Sequence, residues 1–412
     1  MNKDGSNKAE EIIPYLLHWY DYNRRILPWR EDPTPYHVWV SEIMLQQTRV
    51  EAVRGYYDRF LASLPDVKAL AEAEEEVLLK LWEGLGYYNR VRNMQKAARI
   101  LTEQYDGQMP ADYEAIRSLP GIGEYTAGAI ASIAFGLPFP AVDGNVLRVL
   151  SRINGSEEDI AKEKTKQTVR EDLLRIMPAR SGDFNQSLME LGATVCLPNG
   201  KPLCETCPVM HLCTAFHEGR ETELPVKSGK KERRIEKRTV YLISCGEKIL
   251  LHRREKKGLL AGLWEFPNAM AEEQGVQPVE LRKKLRKDLT KDLPEDIKVT
   301  VTKGKKAKHI FSHIEWHMEG ICIQAEPAGA NVPGREDAEG KMRLPDGTGA
   351  AEREKLQERL LAFAEGLTGK QKVPEDAVFA TVTELREQYA VPSAFEAYVK
   401  EVLQSAEQEE EV

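Results

Sequence analysis

The stretch Leu119–Asp143 reads LPGIGEYTAGAIASIAFGLPFPAVD, and it decides how the first half of the chain is interpreted. Its segment Pro120–Gly123 predicts a tight turn in which both glycines can adopt a positive φ angle. Residues Tyr125–Ala134 are mostly small or apolar and predict a packed helix. A glycine-rich turn that opens a helix directs backbone N–H groups outward, where they favour an anion. The pattern therefore predicts a helical hairpin, which serves either as ordinary packing or as an anion-binding unit.

Length and composition set broad limits. The chain has 412 residues, of which 42% are hydrophobic, enough for two or three domains with sizeable cores. The polar N-terminus of mixed charge lacks the pattern of a secretory signal. The longest apolar stretch, Ala127–Phe139, is too short to span a bilayer. We therefore expect a soluble protein of the cytoplasm with no membrane partner.

Charge is distributed unevenly along the chain. The formal net charge is -8, yet Val226–Arg238, Arg282–Lys287 and Lys303–Lys308 are densely basic. The tail Glu407–Val412 is acidic. A run of like charges is usually a solvated surface, but several basic runs in an acidic chain also suit a phosphate-bearing partner.

The first part of the chain, residues 1–217, has mostly helical spacing of its apolar residues. A leucine–proline pair and a basic run then predict a linker over residues 218–237. Short turns separate the helical segments, so an all-α domain is predicted. The predicted helices include Ala9–Arg24, Val38–Phe60, Val77–Leu85 and Asn89–Tyr105.

Beyond the linker the hydrophobic period changes from 3.6 to 2, which predicts an α+β domain over residues 238–404. Residues 327–374 are rich in charge, proline and glycine, and they interrupt the strand pattern. We interpret them as an insertion, partly disordered, in which Ala350–Gly366 can form a helix with Leu356 and Leu360 on one side. Residues 405–412 form an acidic tail.

Four of the six cysteines lie in one short stretch, at Cys196, Cys204, Cys207 and Cys213. In an intracellular protein such a group indicates a metal site rather than disulfides. A compact loop with a single C-x2-C suits a cubane iron–sulfur cluster better than the two separated pairs of a zinc ribbon.

Four motifs occur in an order that resembles the endonuclease III and MutY branch of the helix-hairpin-helix DNA glycosylases. They are Trp39–Thr48, the hairpin Leu119–Gly123, Val142–Arg148 and the cysteine group. The second region resembles the C-terminal domain of the MutY family. The resemblance implies an all-α helix-hairpin-helix glycosylase domain with an Fe–S cluster loop, followed by an α+β Nudix-like domain.

The activity that this resemblance implies is base excision repair. A monofunctional adenine DNA glycosylase of this family hydrolyses the N-glycosidic bond of adenine opposite 8-oxoguanine or guanine in double-stranded DNA. A bacterial protein that acts as a monomer is expected. The alternatives are a bifunctional endonuclease III-like glycosylase and AP lyase, a Nudix-type nucleotide pyrophosphatase, and a non-catalytic Fe–S protein that binds DNA.

Glu42 lies in an otherwise apolar segment of a predicted helix. Burial raises the pKa of a carboxyl group, and a raised pKa suits a general acid. The simpler interpretation is a glutamate that points at solvent. The resemblance implies that Glu42 protonates the departing adenine at N7.

Asp143 stands close to the predicted start of the helix Val146–Arg152. Backbone N–H groups there are expected to lower its pKa, so that it stays ionised and stabilises an oxocarbenium-like sugar. An N-cap aspartate is the simpler interpretation, and the two roles are compatible. Asn145 is expected to assist by holding a water.

Tyr125 occupies the place in the hairpin where the lyase branch of the family has a lysine. A lysine amine can form a Schiff base with the sugar, and a tyrosine cannot. The chain is therefore expected to remove a base without an efficient lyase step. Tyr125 itself is expected to hydrogen-bond Asp143 or the sugar.

The resemblance alone assigns a further set of DNA-contacting residues. Base extrusion costs a few kcal/mol, so residues that replace the base in the stack have a physical role. The residues expected to line the adenine pocket are Trp29, Arg30 and Leu45. The residues expected to enter or bind the DNA are Gln47, Tyr87, Gly121 and Gly123.

The 4Fe–4S cluster is also implied by the resemblance, with Cys196, Cys204, Cys207 and Cys213 as ligands. The family has six residues in the first gap, whereas this chain has the seven residues Leu197–Leu203. We expect the extra residue to bulge near Asn199-Gly200 and the cluster to be structural.

The segment Gly262–Pro267 (GLWEFP) resembles the start of a Nudix fold. Where a Nudix hydrolase has magnesium-binding glutamates, this chain has the basic Arg282–Asp288, and cations cannot ligate magnesium. The domain is therefore expected to bind rather than hydrolyse. Phe311, Ser312 and His313 match the family loop that recognises 8-oxoguanine.

Overall fold

The computed structural model describes residues 8–229, 232–271, 297–327, 335–336, 342–343, 348–368 and 377–410. Contacts divide the chain into two units. The first consists of Met1–Glu75 and Tyr87–Lys230, and the second of Glu76–Gly86 and Lys231–Val412. Within the described residues, no helix combines the length and the apolar character needed to cross a membrane.

The described residues before 218 form α-helices joined by short turns, as the helical period predicts. Two short 3₁₀ helices, Cys204–Thr206 and Met210–Leu212, lie in the cysteine loop. The α-helices are α1 Lys8–Glu11, α2 Ile13–Asn23, α3 Pro28–Glu31, α4 Pro35–Leu45, α5 Val50–Ser63, α6 Val67–Glu72, α7 Glu75–Leu81, α8 Asn89–Tyr105, α9 Tyr113–Ser118, α10 Glu124–Phe135, α11 Gly144–Asn154, α12 Glu163–Ile176, α13 Ser181–Thr194 and α14 Thr214–His217.

The predicted helical hairpin consists of α9, a turn and α10. Gly121 has a φ of 79°, and a Cβ there would lie 2.7 Å from the Cβ of Asn93. Gly123 does not use this freedom, because its φ is -93° and it is the N-cap of α10. Inside α10, a Cβ on Gly128 would lie 2.1 Å from the carbonyl oxygen of Pro140. This close approach holds the segment that leads to Asp143 directly against α10.

The predicted helix Val38–Phe60 is in fact two helices. It breaks between α4 and α5, where Gln47 has a φ of 60°. The apolar period continues through this break, so periodicity alone does not reveal it. By contrast, the predicted bounds Asn89–Tyr105 are confirmed by α8.

The core of the helical unit joins α2, α11 and α13. Leu16, Val146, Phe184 and Leu188 are among its buried members. Because α11 and α13 share this core, the residues at the start of α11 have a fixed position relative to α13.

The described residues beyond 231 form a sheet with helices on it. The sheet order is β3-β2-β1-β6-β5, while β4 pairs with β1 and β9 pairs with β2. The neighbours β1 and β6 are parallel, and β5 and β6 form a long antiparallel hairpin. The strands are β1 Arg234–Cys245, β2 Lys248–Arg253, β3 Trp264–Glu265, β4 Asn268–Met270, β5 Ile297–Ile310, β6 Ile314–Pro327, β7 Arg335–Glu336, β8 Met342–Arg343 and β9 Ala377–Ala380.

Each face of this sheet has its own core, which confirms the predicted period of two. In β1, Val240 and Leu242 belong to one core, while Tyr241 and Ile243 belong to the other. The helices that follow are α15 Thr348–Thr368, α16 Val382–Glu387 and α17 Glu396–Glu410.

The predicted insertion lies partly outside the described residues. Its predicted helix is confirmed by α15, in which Leu356 and Leu360 are buried against the Tyr241 side of the sheet. Arg282–Lys287 lies outside the described residues.

Candidate active site

Glu42 is buried in α4, with 7% of its surface exposed. The helix begins after Thr34, whose side chain accepts the backbone N–H of His37, and Pro35 occupies the first turn. Burial raises the pKa of Glu42 to about 7, and the charge of Asp143 acts in the same direction. The hydroxyl of Tyr125 donates to Glu42 Oε2 and opposes part of this rise. The predicted buried carboxyl group with a raised pKa is confirmed.

Tyr125 therefore bonds Glu42 rather than the expected partner Asp143. It lies in the first turn of α10, and its hydroxyl is also 3.8 Å from the sulfur of Met189. Burial raises the pKa of Tyr125 well above its ordinary value, so the phenol keeps its proton at neutral pH and remains a hydrogen-bond donor.

Asp143 is the N-cap of α11, as its simpler interpretation predicts. Its Oδ1 accepts the backbone N–H of Val146 at 2.8 Å, and its Oδ2 accepts the Asn145 amide at 2.7 Å. The predicted lowering of the Asp143 pKa is wrong. Burial raises the pKa by more than these hydrogen bonds lower it.

Asn145 connects Asp143 to a buried arginine. Arg148 Nη2 donates to Asn145 Oδ1 and to the Gly192 carbonyl, both at 2.8 Å. A Cβ on Gly192 would lie 2.6 Å from the Cβ of Asn145, so glycine permits the close approach of α13. The Asn145 side chain thus donates to Asp143 and accepts from Arg148. The water that Asn145 is expected to hold remains a prediction.

A second buried carboxylate, Glu190, was not predicted. It accepts Arg25 Nε at 2.7 Å and Arg30 Nη2 at 2.8 Å, and its own side chain is fully buried. The two cations hold the pKa of Glu190 below its ordinary value despite its burial. A glutamate among apolar residues was the available signal, the same one that identifies Glu42.

The three expected pocket residues differ in their surroundings. Arg30 bonds Glu190 and lies close enough to lower the pKa of Glu42. Trp29 is buried with its ring edge-on to Tyr57, at 5.5 Å between ring centroids. Leu45 is the last residue of α4, half-buried and one helical turn from Glu42.

Two residues, Gln47 and Tyr87, are expected to enter the DNA stack as a wedge. Both are exposed, and both have a left-handed backbone. Gln47 has a φ of 60° and Tyr87 a φ of 47°, and half of the Tyr87 surface is accessible. At the hairpin, the N-terminus of α10 has no side-chain cap, and a Cβ on Gly123 would meet nothing within 4 Å. The first backbone N–H groups of α10 are therefore accessible to an external anion.

The four clustered cysteines line one cavity together with apolar side chains that include Val149, Ile153 and Val195. Arg152 Nη1 lies 3.2 Å from Cys196 Sγ, and backbone N–H groups bond Cys207 and Cys213. Burial raises the pKa of Cys204, Cys207 and Cys213, and the backbone donors act in the opposite direction on Cys207 and Cys213. Pro198–Lys201, where the extra residue is expected to bulge, is exposed, and Gly200 has a φ of 74°.

No three Cys, His, Asp or Glu side chains in the described part of the chain are grouped closely enough to hold a metal ion. A cubane makes a different demand from a single ion, because each thiolate ligates a separate iron at one corner of the cube. Four thiols around one apolar cavity fit that wider arrangement.

In the second unit, Ser312 and His313 form the exposed tip of the β5–β6 hairpin. The backbone N–H of Phe311 donates to the Ile314 carbonyl at 2.8 Å and closes the turn. The Phe311 ring packs against Trp316 at 4.8 Å between ring centroids. The three residues predicted to recognise 8-oxoguanine thus lie in one turn, which the packing of Phe311 on Trp316 supports.

The predicted Nudix motif lies at β3. Glu265 is buried between His252 and Arg254, which hold its pKa near 2. The Glu265 carboxylate of this motif is therefore already paired with His252 and Arg254 inside the domain. The basic stretch Arg282–Asp288, on which the expected absence of hydrolysis depends, lies outside the described residues.

Comparison with known proteins identifies both parts of the chain. The sequence matches the family model of HhH-GPD superfamily base excision DNA repair proteins over residues 40–175. It matches the NUDIX domain model over residues 238–401. The fold is also similar to a thermostable thymine-DNA glycosylase, with a TM-score of 0.47, 29% identity and coverage of 51% of this chain and 97% of that one.

Two relatives illustrate how far the similarity extends. The adenine DNA glycosylase of Mus musculus is 37% identical over 378 residues, which cover 77% of this chain and 72% of that protein. The adenine DNA glycosylase of Buchnera aphidicola subsp. Schizaphis graminum is 33% identical over 314 residues, which cover 75% of this chain and 86% of that protein.

The match to HhH-GPD base excision repair proteins, together with the relatives, defines a DNA glycosylase of the base excision repair class. Within that class, the chain belongs to the adenine DNA glycosylase family. Its relatives come from animals, plants, fungi and bacteria, so membership in the family does not specify a bacterial source.

Proposed function

We propose that the protein is a monofunctional adenine DNA glycosylase that hydrolyses the N-glycosidic bond of adenine opposite 8-oxoguanine or guanine in duplex DNA. One observation carries the proposal. Glu42, a buried carboxyl group with a pKa of about 7, is bonded by Tyr125 and lies within the electrostatic influence of Asp143. A pair of carboxyl groups with different environments is what acid-assisted glycoside cleavage requires.

Glu42 is the proposed general acid. Adenine leaves poorly as an anion, and protonation at N7 makes it a neutral leaving group. Because burial raises the pKa of Glu42 to about 7, this carboxyl group can carry a proton at neutral pH. The Tyr125 hydroxyl fixes the carboxyl group in position and stays protonated itself.

Asp143 is the proposed ionised partner. Two carboxyl groups in one buried site do not both ionise readily, so the one with more hydrogen-bond donors holds the charge. Asp143 accepts Val146 N–H and the Asn145 amide, while Glu42 accepts the Tyr125 hydroxyl. The Asp143 carboxylate then stabilises the positive charge that develops on the sugar.

The DNA-contacting surface completes the proposal. Extruded adenine enters beside Trp29, Arg30 and Leu45, and Gln47 and Tyr87 replace it in the stack. The exposed N-terminus of α10 at Gly123, reached through the Gly121 turn, accepts a backbone phosphate.

The direct test is excision from a duplex that contains adenine opposite 8-oxoguanine, analysed with and without alkali. We expect strand breaks only after alkali, because Tyr125 supplies no amine for a Schiff base. Borohydride should trap no covalent complex. Efficient trapping, or breaks without alkali, would favour the bifunctional lyase, and failure to release adenine would refute the proposed function.

We further propose that Cys196, Cys204, Cys207 and Cys213 hold a 4Fe–4S cluster. The shared apolar cavity and its N–H donors support this assignment. When bound, such a cluster cross-links the loop after α13 and neutralises charge on the thiolates. We assign it a structural role, because the proposed reaction requires no electron transfer.

The purified protein should contain about four irons per chain and absorb visible light. Cys204→Ser should lose iron and destabilise the Cys196–Cys213 loop. Cys245→Ser is the matched control, because Cys245 is buried in β1 and should leave the iron content unchanged. Stoichiometric zinc without visible absorbance would contradict the assignment.

The Nudix-like domain, proposed to span residues 238–404, is assigned the recognition of 8-oxoguanine. Its first strand, β1, begins at Arg234, within the predicted linker 218–237. Guanine N7 accepts a hydrogen bond, whereas the oxidised base donates one there and accepts at O8. The Ser312 hydroxyl can do both. Its exposed place at the tip of the β5–β6 hairpin supports this role, with Phe311 and His313 beside it.

Ser312→Ala combined with His313→Ala should reduce the preference for adenine opposite 8-oxoguanine over adenine opposite guanine by roughly tenfold. Excision opposite guanine should change much less, because Glu42 and Asp143 are untouched. The measurement is single-turnover excision from both duplexes. Glu247→Ala, at the tip of the β1–β2 hairpin, is the control. Equal losses on both duplexes would mean that the turn only holds DNA.

The proposal also includes a monomer that works in the cytoplasm of a bacterium. Light scattering during size-exclusion chromatography measures the mass directly, and a dimer would contradict the expected monomer.

A further inference from the structure

Gln47 and Tyr87, in the helical unit, have a left-handed backbone, with φ of 60° and 47°, although neither is a glycine. Asp106 also has a positive φ, but it is the C-cap of α8, where this conformation is common. A left-handed backbone is unfavourable for residues that have a Cβ. It persists only where the surrounding structure holds it, and such positions are frequent at functional sites.

Arg90 contacts both of these strained segments. It is the second residue of α8, and its Nη1 donates to the carbonyl of Ile43 at 2.6 Å and to that of Gln46 at 2.8 Å. Its guanidinium carbon lies 5.6 Å from the centroid of the Tyr87 ring. One half-buried cation is thus hydrogen-bonded on one side and packed on an aromatic ring on the other.

The two carbonyl groups are at the C-terminal end of α4, the helix that carries Glu42. Carbonyls in the last turn of a helix have no partner within the helix, and the helix dipole makes this end negative. Arg90 satisfies them with a positive charge. Its bond to the Gln46 carbonyl also fixes the peptide immediately before Gln47.

We propose that Arg90 is a positioning residue that holds Gln47 and Tyr87 as a single wedge and fixes this wedge to the helix that carries Glu42. The inference rests on the proposed function, since it takes base extrusion by Gln47 and Tyr87 as given. It adds a role for a residue that touches neither the adenine nor the sugar. The hydrogen bonds that hold Glu42 and Asp143 come from Tyr125, Asn145 and Val146, so loss of Arg90 should impair extrusion more than cleavage.

The test uses a duplex with 2-aminopurine opposite 8-oxoguanine, because this base fluoresces when it leaves the stack. Arg90→Met keeps the length of the side chain and removes its charge and donors. We expect it to lower the rate of the fluorescence rise by about ten- to a hundredfold. Excision of adenine should fall in parallel with extrusion, while the pH at which excision declines stays the same.

Arg90→Lys should recover part of the extrusion rate, because an ammonium group still carries charge and donors to the carbonyls. Arg99→Met is the matched control. Arg99 is on the same helix and also donates to a backbone carbonyl, that of Ala71 at 3.1 Å, but away from the wedge. The Arg99 variant should extrude the base like the wild-type chain.

Extrusion by Arg90→Met that equals extrusion by Arg99→Met would overturn the inference, as would a shift in the pH profile without slower extrusion. If circular dichroism shows that Arg90→Met is unfolded, Arg90→His replaces it, and extrusion at the wild-type rate in Arg90→His would refute the role. Failure of the wild-type chain to release adenine would refute the proposed function instead, and the two failures are therefore distinguishable.

Discussion

Glu42→Gln is expected to lower the single-turnover rate of adenine excision by about 10²- to 10⁴-fold, the usual contribution of a general acid. Glutamine has the same shape and can still accept the Tyr125 hydroxyl, but it has no acidic proton to give to N7. DNA binding, measured by fluorescence anisotropy, should persist. The control is Glu51→Gln on α5, an exposed glutamate that lies 3.6 Å from Arg54. Near-normal excision by Glu42→Gln would mean that another group is the acid.

The same assignment fixes the sign of the pH dependence. Glu42 acts in its protonated form, so excision should decline as pH rises above about 7, the pKa of this group in the folded chain. A carboxyl group whose pKa is raised on folding also binds its proton more tightly in the folded state. Its contribution to stability is therefore lost as pH rises toward 7. Glu42→Gln should be no less stable than the wild-type chain at pH 8, which separates a catalytic defect from unfolding.

Asp143→Asn is expected to reduce excision by about a hundredfold or more, because it removes the negative charge opposite the developing oxocarbenium ion. Asparagine is also a good N-cap, so the start of α11 should be retained. Single-turnover kinetics and a thermal melt measure the two effects separately.

The control for this change is Asp112→Asn. Asp112 caps α9 with the same geometry, accepting the backbone N–H of Ala115 at 2.8 Å, but lies outside the carboxylate pair. The Asp112→Asn variant should excise adenine at the wild-type rate. If Asp143→Asn and Asp112→Asn lose activity equally, capping rather than charge explains the loss.

The sequence by itself determined the fold class and singled out the two carboxyl groups that are proposed to act. Helical spacing before residue 218 and a period of two beyond residue 237 are local properties, and both persist in the structure. The simultaneous presence of Leu119–Gly123, Asp143 and the cysteine group left few families to consider. Glu42 could be singled out because a carboxylate inside an apolar helix is costly unless it has a function or a partner.

The tertiary structure decided what those residues contact. Tyr125 bonds Glu42 instead of Asp143, and the pKa of Asp143 is raised rather than lowered. Hydrogen bonds at a helix start can be inferred from neighbours in sequence. The extent of burial depends on how α4, α10, α11 and α13 pack, and burial outweighs the local hydrogen bonds in setting this pKa.

The sequence also could not predict which residues far apart in the chain bond to each other. Glu190 lies 160 positions from Arg30, and Arg90 lies 47 positions from Ile43, yet each pair forms a direct bond. The predicted helix Val38–Phe60 breaks at Gln47, whose left-handed backbone follows a carbonyl group bonded by Arg90 of α8. Local patterns report which residues are unusual, whereas only the packed chain brings a distant cation to the carbonyl group or carboxylate that requires it.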